Sequence, residues 1–277
     1  MAPPIGLIAA QGQLPLITAR GIRAAGREVA CVGLREQFDQ TLPELCDRFG
    51  TAGVIQLGRW IRLLRRFDVR EAVMVGRVAK VRMYDPLRLV RQLPDWRAIN
   101  LWYRKLRHDK RNDAILGAIA EELARSGIQL IDSTRYIPEH MAEEGVMTAS
   151  RPTAQQQADI DFALPIIRQM GALDVGQSIA VKEREIIAVE AIEGTDRMIE
   201  RAGQLCPSGG WTLVKVAKPQ QDTRFDVPTI GSGTIQYLKK HGGSCIAVEA
   251  GAVIMVDKPA LIEEANRARV ALVGVRL

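Results

Sequence analysis

Short apolar runs alternate with stretches of helical periodicity through the first half of the chain. Ile5 to Ala10 reads as a strand, followed by Gln11-Gly12-Gln13-Leu14-Pro15 and a helical pattern from Leu16 to Ala25. Glu28 to Val32 and Val54 to Leu57 read as further strands, and a helix is expected from Arg59 to Phe67. Ala72 to Val75 reads as a fourth strand, ending at Gly76-Arg77. Such alternation predicts a parallel sheet with helices on its faces, a Rossmann-like α/β domain. Gly12 and Gly76 then fall at the carboxyl ends of strands, where sheets of this kind bind ligands. The helix after Gly12 would offer its first N–H groups to a phosphate. Asn112 is expected to cap a helix that Gly127 closes, and Ile128 to Ile131 to be the last strand of this half.

From Ile137 to Gln157 the periodicity fades, which predicts a linker over 138–157 between a first domain, 1–137, and a second, 158–277. A helix opens the second half, with Pro165 expected to kink it. Ser178 to Val181 and Ile186 to Glu190 read as a hairpin, and Thr195 as the N-cap of the helix that follows. Trp211 to Val216 alternates like a half-buried strand and leads into the charged stretch Lys215 to Gly231. Beyond it the pattern predicts a helix to His241, a hairpin of Cys245–Glu249 with Ala252–Val256, a helix over 258–268 and a closing strand over 270–275. The fold class is α/β with two domains, an amino-terminal Rossmann-like parallel sheet domain and a carboxyl-terminal mixed α/β domain.

With 47% hydrophobic and 25% charged residues, the chain has the composition of a soluble globular protein. No apolar run reaches the length of a membrane span, and the first residues lack the basic region of a signal peptide. Four scattered cysteines without a C-x-x-C pair point to reduced thiols in a cytoplasmic protein. Charge is uneven. Arg59 to Arg111 holds sixteen Lys and Arg against five Asp and Glu in a chain whose total is +6, so the remainder is net acidic. A basic region of this kind fits an anionic partner: nucleic acid, a phosphorylated substrate or an acidic membrane surface. Aromatic and apolar residues interleave with its arginines from Leu87 to Leu106, as in a core-facing helix or an amphipathic lipid-binding surface.

Three well-separated histidines leave little room for a histidine-rich metal centre or a Ser-His-Asp triad, and no P-loop or H-E-x-x-H occurs. What remains is oxygen chemistry. Glu190, Glu193, Asp196, Asp222 and Asp226 are hard ligands suited to Mg²⁺ or Mn²⁺. Lys215, Lys218 and Arg224 are cations suited to phosphate. Cleaving a phosphoanhydride needs its charge neutralised and a water activated, and these residue types supply both. If the segment around Asp226 is extended, Arg224 and Asp226 share a face.

The segment Val189-Glu-Ala-Ile-Glu-Gly-Thr-Asp196, followed by Lys-x-x-Lys-Pro-x-Gln-Asp-x-Arg-Phe-Asp-x-Pro-x-Ile-Gly over 215–231, resembles the UDP-2,3-diacylglucosamine pyrophosphatases of the LpxI type. The resemblance extends over the whole chain, through Gly76, Asn112-Asp113 and Ala158-Asp-Ile-Asp161 to Val248-Glu-Ala-Gly251. It implies hydrolysis of a nucleotide-linked lipid to lipid X and UMP with a divalent cation, and a substrate held between two domains. Candidate catalytic and metal-binding residues are Asp226, Asp222 and Glu193. Candidate substrate-binding residues are Gly12, Gly76, Arg77, Asn112, Asp113, Thr195, Lys215, Lys218, Gln221 and Arg224. The expected partners are a phosphorylated lipid and the inner face of a membrane, with no nucleic acid and with homo-oligomerisation left open. A hydrolase of another nucleotide sugar and a non-enzymatic nucleotide or nucleic-acid binder are the competing classes.

Overall fold

The computed structural model describes residues 2–78, 93–107 and 112–277, apart from the side chains of 104, 106, 112 and 113. Expectations placed on 79–92 and 108–111 lie outside the described residues. The chain divides into two units, Met1–Ile137 with Asp222–Asp226, and Pro138–Gln221 with Val227–Leu277.

Unit 1 is built on a parallel sheet of β1 (Ile5–Ala9), β2 (Val29–Leu34), β3 (Arg48–Ala52), β4 (Glu71–Val75) and β5 (Gln129–Leu130), in the order β3-β2-β1-β4-β5. Side chains alternate across the sheet. Ile8, Val32 and Ala72 pack with Trp60, Leu64 and Leu123 on one face, while Leu7, Cys31 and Val73 pack with Leu16 and Ile22 on the other. Those partners come from helices α1 (Leu14–Ala24), α2 (Leu57–Arg66) and α4 (Asn112–Arg125). The third strand is Arg48–Ala52 and not Val54–Leu57, which forms a turn and the start of α2. β3 lies at the sheet edge, where a strand half open to water carries Arg48 and Thr51 and shows no apolar run.

Helix α3 (Trp96–Leu101) is capped by Asp95, whose carboxylate accepts from the Ala98 amide, and passes into a single π-helical segment, Trp102–Leu106. Arg97 pairs with Glu122 at 3.0 Å and Lys105 with Glu121, and Arg107 stacks over the Tyr103 ring at 4.8 Å. Several aromatic residues here are open to water. Trp96 is 78% and Tyr103 67% exposed, with Leu93, Ile99 and Trp102 beside them. Among the described residues no helix is long and apolar enough to cross a membrane.

Unit 2 holds a mixed sheet ordered β6-β13-β11-β9-β7-β8. Its strands are β6 (Gly145–Val146), β7 (Ser178–Lys182), β8 (Glu185–Val189), β9 (Trp211–Lys215), β11 (Gly243–Glu249) and β13 (Ala271–Val275). β9, β11 and β13 run parallel, and β7 is antiparallel to both β8 and β9. Helix α5 (Ala154–Ala172) covers one face. The other face is covered by α6 (Thr195–Leu205), α7 (Ser232–Lys240) and α8 (Lys258–Ala268). A separate parallel pair joins β10 (Thr229–Ile230) to β12 (Ile254–Met255).

Several local expectations give way here. Residues 138–157 are folded into unit 2: β6 pairs with β13, and Thr153 and Gln156 form a capping box at the start of α5. Pro165 sits inside α5 without ending it. It and Asp161 lie on the exposed face, so the carbonyl that loses its amide partner faces water. Cys245–Glu249 and Ala252–Val256 do not pair as a hairpin, because β11 lies between two parallel neighbours and β12 pairs with β10. Two apolar runs around a glycine look the same in either arrangement.

Candidate active site

In unit 1 the strand order reverses between β1 and β4, and the loops leaving those two strands are bonded main chain to main chain. The Ala10 amide donates to Val75 O at 3.0 Å, Gln11 to Arg77 O at 3.1 Å, and Arg77 back to Gln11 O at 2.9 Å. Gly76 makes this approach possible. Its φ is +99°, and a Cβ there would lie 2.8 Å from the Ala10 carbonyl carbon. Gly12, Gly76 and Arg77 are therefore brought together and exposed at the switch point, where open α/β sheets bind ligands. α4 is described from Asn112 onward, and the side chains of Asn112 and Asp113 lie outside the described residues.

Asp222–Asp226 packs with unit 1. Buried Ser133, three residues beyond β5, donates from its amide (3.1 Å) and its hydroxyl (2.8 Å) to Thr223 O, and Phe225 packs against the core. The segment is a turn, with the Asp226 amide donating to Asp222 O at 3.0 Å. Arg224 and Asp226 therefore do not share the face that an extended strand would give them. Asp222 instead grips Arg224: its carboxylate accepts from the Arg224 amide at 3.1 Å, from Nε at 2.9 and 3.1 Å and from the terminal nitrogen at 2.6 Å. Asp side chains favour such local turns. The hydrogen bonds from Arg224 hold the Asp222 carboxyl below its usual range, and Asp222 raises the guanidinium in return.

In unit 2 the charged stretch leaves the carboxyl end of β9. Lys218 Nζ donates to Asp174 at 2.6 Å, the Lys218 amide to Gln221 Oε1 at 2.8 Å, and the Ala217 amide to Glu249 at 2.8 Å. Lys218 and Gln221 thus shape the loop. Glu193 accepts from the Ala191 amide at 3.2 Å and pairs with Arg201. Its carboxyl is held low by its own backbone amide foremost, with Arg201 adding. Thr195 is not an N-cap. Gly194 holds that position with φ +82°, and no side chain caps α6. The Thr195 hydroxyl faces inward, donating to Glu190 Oε1 at 3.0 Å and accepting from Lys215 Nζ at 2.7 Å.

Asp222 and Asp226 pack with unit 1 and Glu193 belongs to unit 2, and among the described residues no three His, Cys, Asp or Glu side chains converge. Ser133, Asp174 and Ser178 were not singled out from the sequence. Each is a polar residue just past or at the end of an element, a position that could have drawn notice.

The LpxI N-terminal domain family matches residues 4–140 and the LpxI C-terminal domain family residues 143–273. A protein of Caulobacter vibrioides, UDP-2,3-diacylglucosamine pyrophosphatase LpxI, is 32% identical over 281 positions, covering 98% of this chain and 97% of that protein. Among solved structures, biotin carboxylase of Campylobacter jejuni aligns at 13% identity and a TM-score of 0.28 over 74% of this chain and 42% of that one. The biotin carboxylase domain of Hydrogenobacter thermophilus 2-oxoglutarate carboxylase aligns at 12% identity and 0.24, over 74% and 41%. The chain thus spans less than half of either carboxylase, and likeness at that level bears on neither fold nor function.

Proposed function

The chain belongs to the LpxI family, and we propose that it hydrolyses the pyrophosphate of UDP-2,3-diacylglucosamine to UMP and lipid X in lipid A biosynthesis. The observation that carries this reading is the end-to-end match, 98% of this chain against 97% of the Caulobacter vibrioides enzyme. Water adds to one phosphorus, the bridging P–O bond breaks, and the water's protons pass to the released phosphates and to solvent. Lys215 and Arg224 supply positive charge to the phosphate oxygens, where it matters most as charge develops. Asp222 serves by fixing the fork of Arg224. Asp226 orients the attacking water.

Mg²⁺ or Mn²⁺ would suit the oxygen donors of this stretch, and Asp226 is the residue that would hold it. When bound, such an ion neutralises phosphate charge. Asp222 is paired with Arg224 and Glu193 with Arg201.

The test is incubation of the protein with UDP-2,3-diacylglucosamine plus Mg²⁺, Mn²⁺ or a chelator, with UDP-N-acetylglucosamine as control. UMP and lipid X should appear only from the lipid substrate and only with metal. Equal turnover of the control would make the protein a general nucleotide-sugar hydrolase, and no turnover of either would end the proposal.

A diacylated substrate resides in a membrane, and the exposed Trp96, Trp102 and Tyr103 with Leu93 support peripheral contact at its cytoplasmic face. Vesicles of anionic phospholipid should retain the protein at low salt. Trp96→Ser with Trp102→Ser should release it several-fold. Retention unaffected by those changes would place the contact elsewhere.

A further inference from the structure

The face of the unit 2 sheet that packs under α6 changes character in a single step. Ala188 on β8, Ala180 on β7 and Leu213 on β9 are neighbours in the apolar layer. One side-chain repeat further along, β7 and β9 present Ser178 and Lys215, and Glu190 follows the last residue of β8. Ser178 pairs with Lys215 in the register, and the Glu190 amide donates to Ser178 O at 2.9 Å. Residues paired across adjacent strands point to the same face, so the three form one row. Glu190 is 7%, Ser178 0% and Lys215 5% exposed. Thr195 spans the row, donating to Glu190 Oε1 and accepting from Lys215 Nζ. The main chain is packed tightly behind it, since a Cβ on Gly176 would lie 2.0 Å from Glu190 O.

Two buried charges and a buried hydroxyl in place of apolar side chains are a costly way to finish a hydrophobic layer. Apolar residues would serve stability as well or better. Glu190 Oε2 and Ser178 Oγ are buried and find no hydrogen-bond partner among the described residues, so the row is not arranged for maximal bonding within the fold. Its arrangement orients Lys215. The threonine hydroxyl has one proton, and giving it to Glu190 turns a lone pair toward the ammonium. The carboxylate thereby fixes both the direction of the hydroxyl and the position of the cation.

We propose that Glu190 is a positioning residue for the hydrolysis, acting through Thr195 to hold Lys215 where it meets a phosphate oxygen. This deepens the proposed function and rests on its assignment of Lys215 to the phosphates. Glu190 touches no substrate itself. Its loss should therefore matter only while Lys215 is present.

Glu190→Gln, which keeps the shape and removes the charge, should lower kcat/KM for UDP-2,3-diacylglucosamine about tenfold or more, and affinity for inorganic pyrophosphate by a similar factor. On a Lys215→Met background the same change should cost less than about twofold further. That non-additivity is the signature of one residue acting through another. Thr195→Val should reproduce the Glu190→Gln defect and Thr195→Ser should restore it, which keeps the test open if Lys215→Met does not fold. Losses that multiply independently would overturn the inference, as would a Thr195→Val enzyme of near-normal kcat/KM. If the wild-type protein leaves the lipid substrate intact, the proposed function falls, while the pyrophosphate arm still decides the row. Wild-type protein that binds no pyrophosphate would overturn the anion role of Lys215 and the inference with it.

Discussion

Around Gly76 in unit 1 the rim of the sheet is bonded main chain to main chain, with Gln11 and Arg77 exchanging both of their amides. Around Lys215 in unit 2 the bonds run side chain to side chain, from ammonium to hydroxyl to carboxylate. Both rims lie at the carboxyl ends of parallel strands. A rim made of backbone tolerates exchange of its side chains but not an added Cβ. A rim made of buried polar side chains tolerates neither a lost charge nor a turned hydroxyl. The two rims should therefore fail in different ways.

The largest effect is expected at Asp226, on a unit 1 turn anchored through the backbone of Thr223. If backbone holds that turn, removing the Asp226 carboxylate should spare the scaffold. Asp226→Ala should lower kcat by about 10²-fold or more, the scale of a lost acid–base group. Melting temperature and substrate affinity should stay near wild type. Steady-state kinetics beside a thermal melt reads both at once. A variant that melts early but turns over normally would put side-chain scaffolding into unit 1 and break the contrast.

Gly76 tests the same contrast from the opposite side. At φ +99°, and with Ala10 2.8 Å from its would-be Cβ, Gly76→Ala should destabilise the protein by about 2 kcal/mol, within the range for a residue held in a disfavoured backbone region. Gln11→Ala and Arg77→Ala should each stay within about 0.5 kcal/mol, as surface changes do. Urea unfolding of the three variants measures the difference. Equal losses at all three positions would mean that the unit 1 rim depends on side chains after all.

The contrast also explains what could be read in advance. β1, β2 and β4 are buried on both faces, and their apolar runs announced a parallel sheet and put Gly12 and Gly76 at its rim. β3 escaped because an edge strand needs no such run. Along 215–226, which runs from unit 2 into unit 1, the residue types were legible, since lysines, arginine and carboxylates crowd the stretch, but their pairing was not. Whether Arg224 bonds to Asp222 or aligns with Asp226 depends on whether 222–226 is turned or extended, and Pro219 and Pro228 permit both. Thr195 follows Gly194 at a helix start, which fits an N-cap. Only the register of β7 with β8 and β9 shows that its hydroxyl is claimed by Glu190 and Lys215.

The smallest effect is expected at Asp222, where unit 1 does use a side-chain pair, though at the surface. The two partners are 32% and 38% exposed, and at that exposure solvent screens the pair to about 0.5 kcal/mol. Asp222→Asn should cost that much at pH 7. Because the folded-state pKa of Asp222 is depressed by the hydrogen bonds from Arg224, the stabilisation is fully present above the unfolded carboxylate pKa, about 3.9. It disappears as pH falls through the lower folded value. Urea unfolding of wild type and Asp222→Asn at pH 7, 5 and 3 should therefore show a constant gap between pH 7 and 5 that narrows only at pH 3. A gap already closed at pH 5 would mean that Arg224 does not hold this carboxylate in solution. A gap of several kcal/mol at pH 7 would mean that the pair is shielded from water, and unit 1 would then resemble the buried row of unit 2.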